Sequence, residues 1–450
     1  MLTGGEKLDV ETIREGFPAL DREQDGRRVV YLDGPGGSQV ELGAIEAISR
    51  YMREGGANLH GAFATSRETE EILHRARISM AAFLGAEADE VAFGANMTTL
   101  TLAISRSLGR TWGKGDEIVV TEMDHRANVD PWILAARDAG VETRWLPVDA
   151  GTLTLDLSDK DSVINERTRL VAVNLASNAV GTVTDVARIS ERAQEVGALV
   201  AVDAVHAAPH IPVDRDTIGA DIITCSAYKF FGPHVGITAI RRKVFEALNV
   251  YSLEPAPDHI PDKLETGTQN HEALAGVTEA VEFVASLGSG ETLRERIVNG
   301  MEAVEAHEAE LAGRVREELA AMPGVTLYAA PDGVRKTPTV AFRVAGRTPL
   351  EVCEHMSGRG IFVAGGDFYA STLSEKLGIR ERRVGPRRPR PVQHRRGNRS
   401  LPPDSAGVHG IGFRAPASPA DIIRFRGIRR KELAWRRGRR SPGTRRLTAA

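Results

Sequence analysis

The amino-acid sequence predicts an α/β protein built on a mainly parallel sheet, followed by a smaller α+β domain. From about residue 90 to 240, short apolar runs alternate with amphipathic stretches. Continuous apolar runs are typical of parallel strands that helices cover on both faces. The chain has 450 residues, of which 42% are hydrophobic and 26% are charged. It is therefore long enough to bury substantial cores.

The individual elements follow from these patterns. The predicted strands of the large sheet are 117–121, 169–174, 198–202, 221–225 and 236–240, and the helices between them include 129–139 and 185–196. The smaller domain is predicted from a long charged helix at 291–322, a strand at 338–345, a helix at 349–358 and a strand at 361–364. The resulting organisation is an N-terminal arm (1–30), a large domain (31–285), a small domain (286–379) and a tail (380–450).

Several classes of protein are not expected from this sequence. It has no run of eighteen apolar residues, so we expect no membrane span. Its N-terminus lacks a basic region followed by an apolar run, so we expect no secretory signal. Cys225 and Cys353 form neither a disulfide framework nor a metal-ligand spacing. We therefore expect a cytoplasmic protein without a metal site, in which both thiols are structural.

A lysine and an aspartate follow two of the predicted strands. Lys229 comes directly after strand 221–225, between aromatic residues and before a Gly-Pro pair. Asp203 ends strand 198–202, 26 residues earlier, so both can lie at neighbouring strand ends, where ligands bind in such sheets. Taken singly, Lys229 could be a surface lysine and Asp203 a helix cap. Together they match a lysine that forms a Schiff base and a carboxylate that protonates a pyridine nitrogen.

Two further motifs complete the set. His125 follows strand 117–121, where an imidazole can stack on a planar cofactor or simply be a surface histidine. The segment 94–99 (GANMTT) is a strand-to-helix turn whose backbone N–H groups can cradle a phosphate, although every helix favours such a cap. The four motifs in this order predict an enzyme that uses pyridoxal 5'-phosphate.

On these residues the chain resembles the class V aminotransferases, most closely their cysteine desulfurase-like branch, over about residues 17–379. The matching segments are YLDGPGGSQ (31–39), ANLHGAFATSRET (57–69), FGANMTTLT (93–101), TEMDHRANVDPW (121–132), LASNAVGT (175–182), VDAVHAAPH (202–210), SAYKFFGP (226–233) and ETGTQNHEAL (265–274). The resemblance implies a fold-type I enzyme with a seven-stranded type of sheet. It also implies an amino-acid substrate and a homodimer with shared active sites.

The resemblance also implies roles for individual residues. Lys229 would carry the cofactor and shuttle protons, Asp203 would pair with the ring nitrogen, and His60 would line the entrance. The other implied contacts are His125 on the ring face, His206 at the ring hydroxyl, Asn178 at the ring hydroxyl or the substrate carboxylate, Thr98, Ser226 and Tyr228 around the phosphate with Met97 beside them, and Thr268 reaching the phosphate from the partner subunit.

The chain departs from the family in its small-domain loop. Desulfurases place a nucleophilic cysteine there, because a thiolate must attack the substrate sulfur. The corresponding loop here, 364–370 (AGGDFYA), has no cysteine. Persulfide chemistry is therefore doubtful, and transamination, β-elimination and epimerisation remain open.

The tail is a second departure. Residues 380–450 contain 20 arginines, one lysine and four acidic residues, a net charge of +17, whereas the residues before them have 37 bases and 57 acids, a net charge of −20. A shift of one base near codon 380 can restore the family's closing Arg-Val-Gly strand, Tyr-Asn-Thr turn and final helix. A frameshift is therefore our interpretation, and 384–450 should be mostly irregular and outside the small domain. The alternatives are a cofactor-binding but impaired chain and a protein that binds nucleic acid through this basic arm.

Overall fold

The computed structural model describes residues 8–34 and 36–379, and the backbone of 411–414. Its α-helices are α1 (Val10–Glu15), α2 (Leu42–Glu54), α3 (Ala64–Leu84), α4 (Met97–Gly109), α5 (Asp130–Ala139), α6 (Lys160–Val163), α7 (Val186–Glu195), α8 (Arg242–Ala247), α9 (His271–Ser286), α10 (Leu293–Ala320), α11 (Pro349–Ser357) and α12 (Ser371–Lys376). Its strands are β1 (Glu23–Gln24), β2 (Arg27–Arg28), β3 (Val30–Tyr31), β4 (Val91–Gly94), β5 (Glu117–Thr121), β6 (Glu142–Leu146), β7 (Val148–Asp149), β8 (Thr154–Leu155), β9 (Thr168–Asn174), β10 (Leu199–Asp203), β11 (Ile222–Ser226), β12 (Gly236–Ile240), β13 (Val325–Tyr328), β14 (Thr339–Val344), β15 (Ile361–Phe362), β16 (Ala364–Gly365) and β17 (Ile411–Arg414).

A seven-stranded sheet in the order β4-β12-β11-β10-β9-β5-β6 forms the centre of the protein. The strands β11, β10, β9, β5 and β6 are mutually parallel, and β12 runs antiparallel to both of its neighbours. The predicted mainly parallel sheet is confirmed. All five predicted strands are confirmed to within one residue of their ends, while the two edge strands β4 and β6 were not among the predicted strands.

The sheet is buried on both faces, as its apolar runs require. In β9, Val171 and Val173 belong to one hydrophobic cluster, and Leu170 and Ala172 belong to a second cluster on the other face. Successive side chains of a strand point to opposite faces. A strand covered on both sides must therefore be apolar throughout. Each such large side chain contributes about 1.5–3 kcal/mol by leaving water.

A second, antiparallel sheet has the order β13-β14-β17-β16. Its helices α10 and α11 agree with the predicted 291–322 and 349–358 to within two residues. The predicted strand 361–364 is wrong as a single strand. It divides into β15, which pairs with β3, and β16, which pairs with β17.

The strand β17 corrects part of the expectation for the tail. All four of its residues pair with β14 and two of them, Ile411 and Gly412, also pair with β16, so this piece of the tail joins the small sheet. The physical reason is that a strand edge presents unpaired N–H and C=O groups that another segment can satisfy. The remainder of the predicted irregular tail, 380–410 and 415–450, lies outside the described residues. Among the helices of the described ranges, none is long and apolar enough to cross a membrane.

Candidate active site

A cavity of about 500 Å³ lies at the carboxyl ends of the parallel strands. Strand ends β9, β10 and β11, the start of α4 and the loop after β16 all contribute to its wall. The cavity brings together eight of the residues predicted from sequence: Met97, Thr98, His125, Asn178, Asp203, His206, Tyr228 and Lys229. Three others are not among its lining residues. Ser226 is buried just behind the wall, whereas the His60 side chain is 85% exposed beside Glu70 and Thr268 is exposed.

Lys229 lies on a short turn that the following residues hold in place. A 3-10 turn, Ala227–Lys229, begins directly after β11. The next two residues, Phe230 and Phe231, are fully buried. The backbone N–H of Gly232 returns to donate to the carbonyl of Ala227 at 3.0 Å. The buried rings anchor the chain, so the lysine between them and the strand end is directed to the cavity.

Asp203 is a buried carboxylate at the end of β10. Its Oδ1 accepts a hydrogen bond from the N–H of Val205 at 2.8 Å. Burial raises the pKa of Asp203 to about 6, although the Val205 hydrogen bond and the charge of Lys229 act in the opposite direction. A carboxylate that is costly to ionise in this place is suited to a cationic partner in the cavity. The protonated nitrogen of a pyridine ring is such a partner.

A second buried carboxylate, Asp124, lies next to Asp203 and was missed in the sequence. It accepts hydrogen bonds from the Asn128 side chain at 2.6 Å, the N–H of Asn174 at 3.0 Å and the Thr121 hydroxyl. Burial raises its pKa to about 7, and the charge of Asp203 adds to this rise. The only signal in the sequence was an acidic residue directly before His125. Asp124 ties the strand end of β5 to β9, and so holds that histidine in position.

His125 is the imidazole of the cavity wall. Its Nδ1 accepts from the N–H of Ala127 at 3.0 Å, which assigns the proton of the neutral ring to Nε2. Burial lowers the pKa of His125 to about 4, and the charge of Lys229 lowers it further. A neutral ring that is fixed by its backbone is suited to packing against a flat aromatic cofactor.

The start of α4 forms an anion site at one end of the cavity. Asn96 caps the helix by accepting from the N–H of Thr99 at 3.0 Å, and the N–H of Met97 donates to the Ser226 hydroxyl at 3.1 Å. Gly236 packs so closely that a Cβ there would overlap the backbone of Asn96. The helix therefore begins against β12, and its positive N-terminal end faces the cavity at Thr98. A phosphate group fits this arrangement.

The side chains of His206 and Asn178 form hydrogen bonds within the protein that the sequence did not predict. The Nε2 of His206 lies 3.0 Å from the Thr337 hydroxyl and 2.8 Å from the Thr339 hydroxyl. The Asn178 amide donates to the carbonyl of Phe368 at 2.8 Å. Both residues thus connect the strand ends of the large sheet to the small sheet and its loop. Their predicted contacts with the ring hydroxyl and the substrate stay predictions.

Behind His206 a buried histidine forms a hydrogen bond with a buried carboxyl group. The ring of His210 is 5.4 Å from the ring of His206, and its Nδ1 is 2.6 Å from Oε2 of Glu308 on α10. Both side chains are no more than 1% exposed. Pairs of this kind are costly to bury, and they stabilise a fold only when both partners are present. This pair joins the segment after β10 to the long helix that leads to the small sheet.

Neither Cys225 nor Cys353 is among the residues that line the cavity. Cys225 is inside β11 and fully buried, and burial raises its pKa. Cys353 is half-buried in α11, where burial also raises the pKa and Sγ packs behind Gly365. A reactive cysteine needs a lowered pKa and access to its substrate. Within the described residues, no group of three or more His, Cys, Asp or Glu side chains could hold a metal ion.

Comparison with known proteins agrees with this geometry. The model of the aminotransferase class-V family matches residues 30–384. A probable cysteine desulfurase of Streptomyces coelicolor is 32% identical over 397 residues, which cover 83% of this chain and 91% of the relative. An aminotransferase-like protein of Gibberella zeae is 30% identical and covers 81% and 90%. The apo cysteine desulfurase of Thermococcus onnurineus has the same fold, with a TM-score of 0.77 at 24% identity over 94% of this chain and 98% of that one.

Proposed function

The chain belongs to the class V aminotransferase family, whose enzymes depend on pyridoxal phosphate, and we propose that Lys229 binds this cofactor covalently and acts on a small amino acid. The observation that supports this best is that Lys229, the buried carboxylate of Asp203 and the N-terminal end of α4 line one cavity. These groups match the aldehyde, the ring nitrogen and the phosphate of one molecule. When bound, the cofactor supplies an electron sink for the charge that develops at the substrate α-carbon.

Each residue then has a distinct task. The amine of Lys229 holds the cofactor and moves the proton of the substrate α-carbon. Asp203 keeps the ring nitrogen protonated, and the neutral ring of His125 packs on the flat face of the cofactor. The backbone N–H groups at Thr98, supported by the hydroxyl of Ser226, hold the phosphate. The buried wall of the cavity excludes water, which strengthens these electrostatic contacts.

We further propose that desulfuration of cysteine is weak. The chain is desulfurase-like in sequence and fold, but the loop that borders its cavity, 364–370, has no thiol. Burial raises the pKa of both Cys225 and Cys353, so neither side chain has the properties of a nucleophile. Reactions that need only a base at the α-carbon, such as transamination, β-elimination or epimerisation, do not require a thiol.

The proposed assembly is a homodimer with shared active sites. The face that contains α2, α3 and the segment before α3 exposes five large apolar side chains: Leu42, Ile45, Met52, Phe63 and Ile78. Exposed apolar groups of this kind are typical of a surface that another chain covers. The predicted contributions of His60 and Thr268 depend on this dimer. Sedimentation of the purified protein should give twice the mass of the chain, and replacing Met52 and Phe63 by lysine should give the monomer.

The proposed location is the cytoplasm. Cys225 and Cys353 are both free, as is usual in a reducing compartment.

The decisive experiment concerns Lys229. Purified protein should show the visible absorbance of a cofactor Schiff base, and borohydride should remove this band and leave a label on Lys229. A Lys229→Ala variant should lose both the band and the label. Lys114→Ala is the matched control, because Lys114 is exposed on the loop before β5, away from the cavity. A reducible adduct that persists in Lys229→Ala would contradict the proposal.

A further inference from the structure

The loop 364–370 forms the wall of the cavity opposite the strand ends, and its conformation is unusual. Phe368 and Tyr369 both have positive backbone φ angles, 49° and 58°. Residues other than glycine rarely adopt this left-handed conformation, and two in succession are rarer still. Such strained positions persist only where surrounding contacts impose them, and they concentrate at binding and catalytic sites.

Several hydrogen bonds hold this loop against the large sheet. The Asn178 amide donates to the carbonyl of Phe368 at 2.8 Å, and the N–H of Arg126 donates to the carbonyl of Tyr369 at 2.9 Å. Within the loop, the N–H of Tyr369 donates to Oδ1 of Asp367 at 3.0 Å. The loop is thus attached to the segments that follow both β5 and β9. Its position relative to Lys229 is determined by these bonds.

The consequence of this conformation is the position of the Tyr369 side chain. Its ring lies 5.3 Å from the ring of His125, at an angle of 33°. Tyr369 lines the cavity and is nevertheless 63% exposed, so it borders the opening. The phenol can both donate and accept a hydrogen bond at this opening.

The expected orientation of the substrate brings its side chain to the same place. The substrate amino group would approach Lys229, which lines the same cavity as Tyr369. We therefore expect the side chain of the amino acid to extend toward the opening that Tyr369 borders. The cavity of about 500 Å³ must also hold the cofactor, so only a small side chain fits.

We propose that Tyr369 is a specificity-determining residue whose phenol hydrogen-bonds the substrate side chain, so that the site prefers small amino acids with a hydroxyl or similar neutral polar group on the β-carbon. This inference rests on the proposed function of Lys229. The loop that corresponds to the thiol-bearing loop of desulfurases carries this tyrosine and has no cysteine. A polar substituent on the β-carbon can form a hydrogen bond with this phenol, whereas a methyl group cannot.

The test compares L-serine with L-alanine, which differ by one hydroxyl on the β-carbon. The dissociation constant of each amino acid is measured from the change in cofactor absorbance and, independently, by equilibrium dialysis. The wild-type protein should bind serine about 5-fold more tightly, as one net hydrogen bond provides. Tyr369→Phe should bind the two equally, with its affinity for alanine unchanged. Tyr251→Phe is the matched control, because Tyr251 is 64% exposed and packs on Arg110 instead.

The outcomes separate the two proposals. A normal cofactor band with equal binding of serine and alanine, or a preference for serine that survives in Tyr369→Phe, would refute the role of Tyr369 alone. Absence of the band, or of any response to amino acids, would refute the proposed function and this inference with it. Hydrogen exchange gives a measure that is independent of the variants: the amides of Tyr369 and Ala370 both donate to Asp367 and should be protected. Rapid exchange there would contradict a fixed loop.

Discussion

Replacing Asp203 by asparagine should stabilise the cofactor-free protein and lower its affinity for the cofactor. Asp203 is 6% exposed, and burial raises its pKa from 3.8 to about 6. A raised pKa means that the folded state resists ionisation of this carboxyl. Asparagine cannot ionise, and its oxygen can still accept the hydrogen bond from Val205 that Asp203 accepts at 2.8 Å. The substitution therefore removes the free-energy cost of ionising a buried carboxyl group and keeps the hydrogen bond from Val205.

The size of the effect follows from the shift in pKa. A rise from 3.8 to about 6 is worth about 3 kcal/mol at roughly 1.4 kcal/mol per unit. Because the folded state binds the proton more tightly than the unfolded state, stability falls as the pH rises from about 4 through about 6. Above about pH 6, the folded state bears the whole free-energy cost of ionising Asp203. The gain from Asp203→Asn should be about 3 kcal/mol at pH 7 and about half of that near pH 5.

The assay is urea unfolding of the cofactor-free protein at pH 7 and at pH 5. Asp138→Asn is the control, because the Asp138 side chain is 74% exposed and should give no gain. With cofactor present the order should reverse, since the wild-type carboxylate gains a cationic partner in the ring nitrogen. Equal stability of Asp203→Asn and the wild type at pH 7, or a gain that is the same at both pH values, would refute the reasoning.

Three other predictions follow from the packing around the site. Glu308→Ala should lower the free energy of unfolding by about 1–3 kcal/mol, because it removes the carboxyl group that is hydrogen-bonded to the buried ring of His210; an unchanged free energy in urea unfolding would contradict this. Gly236→Ala should reduce cofactor affinity by displacing Asn96 at the start of α4, and an unchanged affinity by absorbance titration would show that the helix position is not critical. Cys225→Ser and Cys353→Ser should leave sulfide release from cysteine as low as in the wild type; a robust release that either change abolishes would identify a catalytic thiol.

Most of the central sheet could be predicted because its strands are buried on both faces. The strands β5 and β12 begin and end at the predicted residues, 117–121 and 236–240. The strand β6 was missed because it lies at the edge, where four of its five residues are partly or fully exposed and the apolar run disappears. The antiparallel direction of β12 could not be predicted from the sequence either, since the apolar pattern of a buried strand does not indicate its direction.

Local motifs determined the main groups of the site. Asp203 ends β10, and Lys229 and His125 lie within four residues of the ends of β11 and β5. Parallel strands bring their carboxyl ends to one edge. The family resemblance added His206 and Asn178, but it did not indicate that their side chains bind Thr339 and Phe368. Those partners come from the small sheet and from the loop after β16, more than 100 residues away along the chain.

The sequence by itself determined the α/β class and the cofactor, and it predicted the lysine that would carry this cofactor, because each depends on residues that are adjacent or one crossover apart. Only the tertiary structure decided that Asp124 lies beside Asp203 and shares its burial. It also decided that two successive residues of the loop after β16 have positive φ angles, which directs Tyr369 to the opening of the cavity. The physical reason is that burial, electrostatic coupling and backbone strain arise from contacts between distant segments. A linear pattern records which side chains are available, whereas packing determines which of them meet.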